Sequence, residues 1–118
     1  DFKLVSFTVD PERDTPEKLR QFREQVHATP GRWQFLTGDK EKIYDLAYKG
    51  FLANAMEDSL APGGFLHSDL LVLIDRDKHI RGVYQGTQLK DVKRLIDEIK
   101  VLIAGYNAAK KDKEALIN

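Results

Sequence analysis

Two apolar runs limit the folds that are open to this chain: FKLVSFTV at positions 2–9 and LLVLI at positions 70–74. In both runs apolar side chains fall on both faces of an extended chain, and the first mixes β-branched with aromatic residues. Strands of this kind are covered on both sides, as in a parallel sheet that lies between helices. We therefore predict an α/β fold in which 2–9 is a central strand.

Two helices are predicted between these runs. The first has Thr15 as its N-cap and Pro16 in the first helical position, and its apolar residues recur at helical spacing until Pro30-Gly31 ends it. The second begins after Asp39, which is a good capping residue, and Gly50 is a plausible stop. Each helix therefore has a start and an end signal in the sequence.

The segments around the second helix are less regular. A short extended stretch precedes it, and we expect Trp33, Phe35 and Leu36 in this stretch to pack into the core. After the helix, positions 51–64 contain Asn, Glu, Asp, Pro and a Gly-Gly pair, which together indicate a loop.

The second half of the chain predicts a hairpin followed by a long helix. DRDK at 75–78 has hairpin-turn chemistry, so HIRGVYQG at 79–86 should return antiparallel to LLVLI. From Leu89 to Tyr106 apolar residues recur every three or four positions, which predicts an amphipathic helix that covers the sheet. The order β-α-β-α-loop-β-β-α implies helices layered on a mixed sheet.

Composition excludes several functional classes. Nineteen basic residues balance nineteen acidic ones, so no overall field favours nucleic acid, and we expect no nucleic-acid partner. The chain has no cysteine, which excludes disulfides, thiolate metal sites and cysteine nucleophiles within it. No apolar run approaches the ~20 residues that span a bilayer. The first residue is Asp1 and a strand follows almost at once, which suggests a piece of a longer protein.

The candidate metal ligands are few. His67 stands in GGFLHSD, directly before an apolar strand, where it is either a metal ligand or an ordinary loop histidine. His27 lies near a helix end and His79 follows a polar turn, so we interpret both as structural or solvated. No His-x-x-x-His spacing points to another site.

The acidic residues also have two interpretations. Asp10, Glu12 and Asp14 resemble a catalytic carboxylate cluster, but a turn into a helix uses the same residue types, and we favour the structural interpretation. Asp10 follows a predicted parallel strand, so it can still line a cleft. A second acidic group surrounds the loop and is interpreted as solvated: Glu57, Asp58 and Asp69.

Four stretches of the sequence resemble the Sco/SenC family of thioredoxin-like copper proteins. They are VSFTVDPERDTPEKL, WQFLTGD, FLHSDLLVLIDRDKHIRGVYQGT and DVKRLIDEIK. The resemblance implies a thioredoxin-like, three-layer α/β fold with a mixed central sheet flanked by helices. It implies that 1–107 is a partial domain lacking its N-terminal strand and first helix, followed by a helical extension or frayed tail at 108–118.

The same resemblance implies a function and a site. Members of the family bind copper through the two thiolates of a C-x-x-x-C motif and one distal histidine, which His67 matches. The family's implied role is copper delivery to the copper-centre subunit of cytochrome c oxidase, or thiol reduction of that centre, on the periplasmic or other extracytoplasmic face of the membrane. Without cysteine, we expect this chain alone to hold no copper tightly and to be no catalyst.

Two other functions remain open at this point. One is a thiol-disulfide oxidoreductase or peroxidase-like protein on the same scaffold, and the other is a cysteine-free structural module. The partial domain also carries a structural expectation, because a missing strand and helix would leave apolar residues uncovered beside an open sheet edge. We expect self-association through that edge and exposure of Phe2, Val5, Phe7 and Leu71.

Overall fold

The computed structural model describes residues 2–51, 60–61, 65–66 and 69–117. The chain divides into two compact units, Phe2–Ser68 and Asp69–Asn118. The first contains two helices, a π-helical segment and two pairs of strands, and the second contains a hairpin and a long helix. In chain order the elements are β1 (Leu4–Phe7), α1 (Pro16–Gln25), β2 (Trp33–Leu36), α2 (Lys40–Asp45), the π-helix (Leu46–Phe51), β3 (Leu60–Ala61), β4 (Phe65–Leu66), β5 (Leu70–Ile74), β6 (Ile80–Gln85) and α3 (Leu89–Ile117).

Helix α1 begins where its capping signals predict it, but it ends at Gln25, before the predicted stop at Pro30-Gly31. The Thr15 hydroxyl accepts a hydrogen bond from the backbone N–H of Lys18 at 3.3 Å, and Pro16 occupies the first turn. At the other end His27 takes a left-handed conformation with φ 54°, and its N–H donates to the carbonyl of Glu24 at 3.2 Å. His27 therefore lies just beyond the helix end, as the sequence predicts.

Strands β1 and β2 are parallel, with Leu4 opposite Trp33 and Phe7 opposite Leu36. Trp33 and Phe35 are half-buried, with ring centroids 4.8 Å apart, and the Phe35 ring meets that of Phe22 from α1 edge to face at 5.6 Å. These contacts confirm that both aromatic residues pack inward, whereas Leu36 remains 39% exposed.

The apolar residues of β1 are poorly covered. Val5 is 43% exposed and Phe7 is 42% exposed, and Phe2 before the strand is 54% exposed. Exposure of these three residues agrees with the expectation from sequence. The same expectation is wrong for Leu71, which is half-buried in β5.

Helix α2 begins after Asp39 and buries Ile43 to 8% exposure. The helical conformation runs one residue past the predicted stop at Gly50, since a π-helix that follows α2 extends through Phe51. The predicted loop over 51–64 is also wrong in part, since Leu60–Ala61 forms a short antiparallel pair with Phe65–Leu66. The rest of the predicted loop, with Glu57 and Asp58, lies outside the described residues.

In the second unit β5 and β6 form the predicted antiparallel hairpin, with a register shift between Leu73 and Ile74. Tyr84 of β6 is 1% exposed, and its hydroxyl donates to the carboxylate of Glu98 in α3. A Cβ built on Gly82 would lie 2.7 Å from Cζ of Tyr84. Glycine at this position therefore leaves room for the tyrosine ring.

Helix α3 is longer than its apolar pattern requires. It runs to Ile117, so the segment after Asn107 continues the helix. Val92 and Ile99 are half-buried as predicted, whereas Leu89 at the helix start is 69% exposed. Among the helices of the described residues, none has the length and hydropathy of a membrane span.

Candidate functional site

His67, the residue that the resemblance marks as a copper ligand, lies outside the described residues. Its role therefore stays a prediction. The backbone shortly after it is fixed by a hydrogen bond from Gly86 N–H to the carbonyl of Asp69 at 2.6 Å. A Cβ on Gly86 would lie 2.9 Å from that carbonyl oxygen, so glycine permits this close approach. Asp69, two residues beyond His67 and directly before β5, is thus held against the end of β6.

A cluster of hydrogen-bonded polar residues lies at the C-terminal end of β1. Thr8 is 8% exposed, and its hydroxyl donates to Asp14 Oδ2 at 2.6 Å while accepting from the backbone N–H of Asp10 at 3.0 Å. Arg13 forms an ion pair with Asp10 at 3.6 Å. These partners join the strand to the turn before α1 and confirm the structural interpretation of Asp10 and Asp14.

Helix α2 is attached to the same strand end. The hydroxyl of Tyr44 donates to the carbonyl of Val9 at 3.2 Å. A carbonyl just beyond β1 thereby gains a partner from a different element. The VDPERDT stretch at positions 9–15 therefore joins the strand to the elements that follow it. The carboxylates of Asp10 and Asp14 already have partners, Arg13 and Thr8.

The hairpin turn in the second unit is organised by Asp75. Its Oδ1 accepts from the backbone N–H groups of Asp77 and His79, both at 2.9 Å, and its Oδ2 lies 3.3 Å from Nη1 of Arg81. The bond from His79 N–H is the main reason that the pKa of Asp75 lies below its usual 3.8, with further lowering by Asp77 N–H and Arg81 and an opposing effect of desolvation. The ionised carboxylate is therefore the form that the turn stabilises.

The same turn brings together three groups that could ligate a metal ion. One ligand atom each from Asp75, Asp77 and His79 lies within 4.8 Å of the others. The sequence signal for this cluster is the Asp-x-Asp-x-His spacing at 75–79, from which no metal site was predicted. Because Asp75 already accepts two N–H groups and faces the guanidinium of Arg81, its carboxylate is committed to the turn.

The remaining histidine interpretations agree with the structure. The side chain of His79 is 75% exposed, with Nδ1 3.8 Å from Asp75 Oδ2, and it directly precedes β6. His27 is exposed beyond the end of α1. Both belong to turns, and the backbone of each takes part in closing the turn.

The donor groups of this chain do not fit a tight copper site. Cu(I) favours soft thiolate or thioether ligands, and the sequence contains no cysteine and one methionine. A single imidazole at His67 leaves most of the coordination sphere to donors from elsewhere. The expectation that the chain alone holds no copper tightly rests on this chemistry and stays a prediction.

The chain is similar in sequence to known proteins over most of its length. It is 28% identical over 101 residues to an SCO1 protein homolog of Bacillus subtilis, covering 85% of this chain and 52% of the relative. It is 30% identical over 95 residues to an SCO2-like protein of Rickettsia prowazekii, covering 77% of this chain and 45% of the relative. The chain thus spans about half the length of these relatives.

A solved structure and a family model agree with the sequence relatives. The fold is similar to that of a SCO1/SenC family lipoprotein from Bacillus anthracis, with a TM-score of 0.72 and 28% identity over 87% of this chain and 61% of the other. Together with its parallel and antiparallel strand pairs, this likeness identifies an α/β, thioredoxin-like fold. The SCO1/SenC family model matches residues 1–104. The chain therefore belongs to the SCO1/SenC family.

Proposed function

We propose that this chain is the histidine-bearing part of a Sco-type protein that handles copper. The observation that carries the proposal is the family match over residues 1–104, a range that includes His67. The fixed backbone at Asp69 supports it, because a ligand needs a rigid support close to it. The role is copper delivery to the copper-centre subunit of cytochrome c oxidase, or thiol reduction of that centre, outside the cytoplasm.

In this proposal copper is the cargo, and His67 supplies one nitrogen donor. An imidazole beside thiolates makes a site acceptable to Cu(II) as well as Cu(I), which a protein that meets both oxidation states requires. The thiolates come from outside these 118 residues, because the chain has none. The chain alone is therefore an incomplete site.

A cysteine-free structural module is the second candidate function. The complete absence of cysteine favours it, since neither thiol exchange nor thiolate coordination is available within the chain. In that case the scaffold serves only to bind other proteins, and His67 is an ordinary loop residue. The same absence counts against a thiol-disulfide oxidoreductase or peroxidase-like role for this chain by itself.

Copper titration separates the two candidates. The chain is titrated with Cu(I) against a chromophoric chelator, first alone and then with a synthetic peptide that carries a C-x-x-x-C motif. Copper handling predicts weak binding by the chain alone and tighter binding by the mixture than by the peptide alone. The excess affinity should be lost in His67→Ala and retained in the matched control His79→Ala.

Three results would contradict the proposal. Sub-micromolar binding by the chain alone would show that other ligands matter. An excess affinity that survives His67→Ala would place the site elsewhere. Equal affinity of the peptide with and without the chain would leave the structural module as the function.

A further inference from the structure

The last residue of β6, Gln85, has both of its backbone polar groups bound by the segment that follows it. Its N–H donates to Asp91 Oδ2 at 2.8 Å, and its carbonyl accepts from the N–H of Gln88 at 3.1 Å. The next residue, Gly86, points its N–H across the hairpin to Asp69, so the N–H of Gln85 points away from β5. Asp91 therefore binds the backbone group of Gln85 that does not face the hairpin partner.

Gly86 carries this constraint to the start of the hairpin. Its N–H donates to the carbonyl of Asp69 at 2.6 Å, and Asp69 directly precedes β5 and follows His67 by two residues. Two residues of an extended chain span at most ~7 Å, so the position of Asp69 limits where a donor at position 67 can lie. The bonds from Gln85 to Asp91 and from Gly86 to Asp69 thus join helix α3 to the backbone beside that donor.

Helix α3 holds Asp91 in place for this bond. Asp91 lies in the first turn of the helix, where the partial positive charge of the N-terminus favours a carboxylate. Its Oδ1 lies 3.7 Å from Nη2 of Arg94, and the same nitrogen donates to the carbonyl of Val83 in β6 at 3.3 Å. Both carboxylate oxygens of Asp91 are therefore engaged, one by the strand directly and the other by a residue that also binds the strand.

We propose that Asp91 is a positioning residue for the copper donor His67. This inference rests on the proposed function, since it concerns the same donor. The bond from Gln85 keeps the end of β6 against the start of α3, and the bond from Gly86 keeps Asp69 against the end of β6. The backbone beside the donor is therefore ordered before copper binds, and less conformational entropy is lost on binding. Asp91 acts through the backbone, without coordinating the metal.

Copper titration of Asp91 variants tests the proposal. The chain is titrated with Cu(I) in the presence of the C-x-x-x-C peptide, and the excess affinity over the peptide alone is compared between variants. Asp91→Ala removes the acceptor of the Gln85 N–H and should lose most of the excess, because groups that orient a metal ligand change metal affinity by roughly 10- to 100-fold. Asp91→Asn keeps an amide oxygen as acceptor and should restore most of the excess. Asp97→Ala, at an exposed position of the same helix, is the matched control and should keep the full excess.

Amide hydrogen exchange followed by NMR distinguishes positioning from a general loss of stability. In Asp91→Ala the N–H of Gly86 should exchange about tenfold faster, because its pairing with Asp69 opens locally, whereas the N–H of Tyr84 should change little. Asp91→Asn should restore slow exchange at Gly86. An equal acceleration at Gly86 and Tyr84 would show that Asp91 only stabilises the fold, and it would overturn the proposal.

The copper results separate this inference from the proposed function. The expected result is an excess affinity that is lost in both His67→Ala and Asp91→Ala and restored in Asp91→Asn. An excess that is lost in His67→Ala but kept in Asp91→Ala would overturn the inference and leave the proposed function intact. A loss that Asp91→Asn does not restore would assign the effect to the charge of Asp91 and would also overturn the inference. No excess affinity in the wild-type chain would overturn the proposed function and the inference together.

Discussion

The two units differ in how their strands are covered. In Asp69–Asn118 the hairpin and α3 are neighbours in sequence, and Tyr84 between them is 1% exposed. In Phe2–Ser68 the β1–β2 pair is parallel, and Val5 and Phe7 of β1 remain more than 40% exposed. The core of Asp69–Asn118 is built by elements that follow one another along the chain. A parallel pair such as β1–β2 needs other elements packed on both of its faces.

The stabilising contacts differ in the same way. Tyr84 combines a buried ring, a hydrogen bond to Glu98 and the guanidinium of Arg94 4.3 Å from the ring centroid. Among the described residues of the first unit, Thr8 is a buried polar residue, and its hydroxyl holds the strand end through Asp14. The comparison teaches that in the second unit a fully buried ring joins strand to helix, whereas the end of β1 in the first unit is held by polar side-chain bonds.

The largest expected effect is that of Tyr84→Ala. Removing a fully buried aromatic side chain costs roughly 3–5 kcal/mol, whereas Phe7→Ala should cost only about 1 kcal/mol because its ring is nearly half exposed. Urea unfolding followed by circular dichroism measures both free energies. Tyr84→Phe is the control that keeps the ring, and it should lose about 1–2 kcal/mol with the hydrogen bond to Glu98. Equal losses of unfolding free energy in Tyr84→Ala and Phe7→Ala would contradict the difference in burial between the two units.

Thr8→Val tests the polar cluster at the end of β1. The change preserves shape, but it deprives Asp14 of a donor and the N–H of Asp10 of an acceptor. Leaving such groups unpaired costs about 1–3 kcal/mol of unfolding free energy. Thr37→Val, at an exposed position, is the matched control and should be nearly neutral. A cost no greater than that of the control would show that the cluster contributes little to the first unit.

Local signals explain which parts of this architecture are predictable from sequence. Thr15 and Pro16 specify the start of α1 because a cap depends on adjacent residues, and the order of strands and helices indicates the α/β class. The pairing of Leu60–Ala61 was missed because two residues carry no periodicity. The role of Asp75 was missed because its donors are backbone N–H groups that converge once the turn forms. His67 was identified by resemblance, since a lone histidine has no distinctive spacing.

The stability of the second unit should depend on pH through Asp75, which organises the hairpin turn. The pKa of Asp75 is lowered in the folded state, chiefly by the N–H of His79, so the carboxylate contributes stability above its usual pKa of 3.8. That contribution is lost as pH falls through the folded pKa. Wild type should therefore be more stable than Asp75→Asn at pH 7, and the difference should shrink below about pH 4. A difference in stability between wild type and Asp75→Asn that stays constant from pH 7 to below pH 4 would contradict this assignment.

The smallest expected effects on the free energy of unfolding come from two residues with positive φ, one in each unit, and these two effects should be equal. Lys78 in the hairpin turn has φ 66° and His27 beyond α1 has φ 54°, so both occupy left-handed backbone that favours glycine. Glycine relieves this strain, but it also raises the entropy of the unfolded chain. The net result should be that Lys78→Gly and His27→Gly each raise the free energy of unfolding by about 0.5 kcal/mol. Asp77→Gly, without a positive φ, should be destabilising in the same urea assay. Because the two changes act on local backbone, their gains should not depend on how the strands are covered. Clearly unequal gains would show that the units differ in their turns as well as in the burial of their strands.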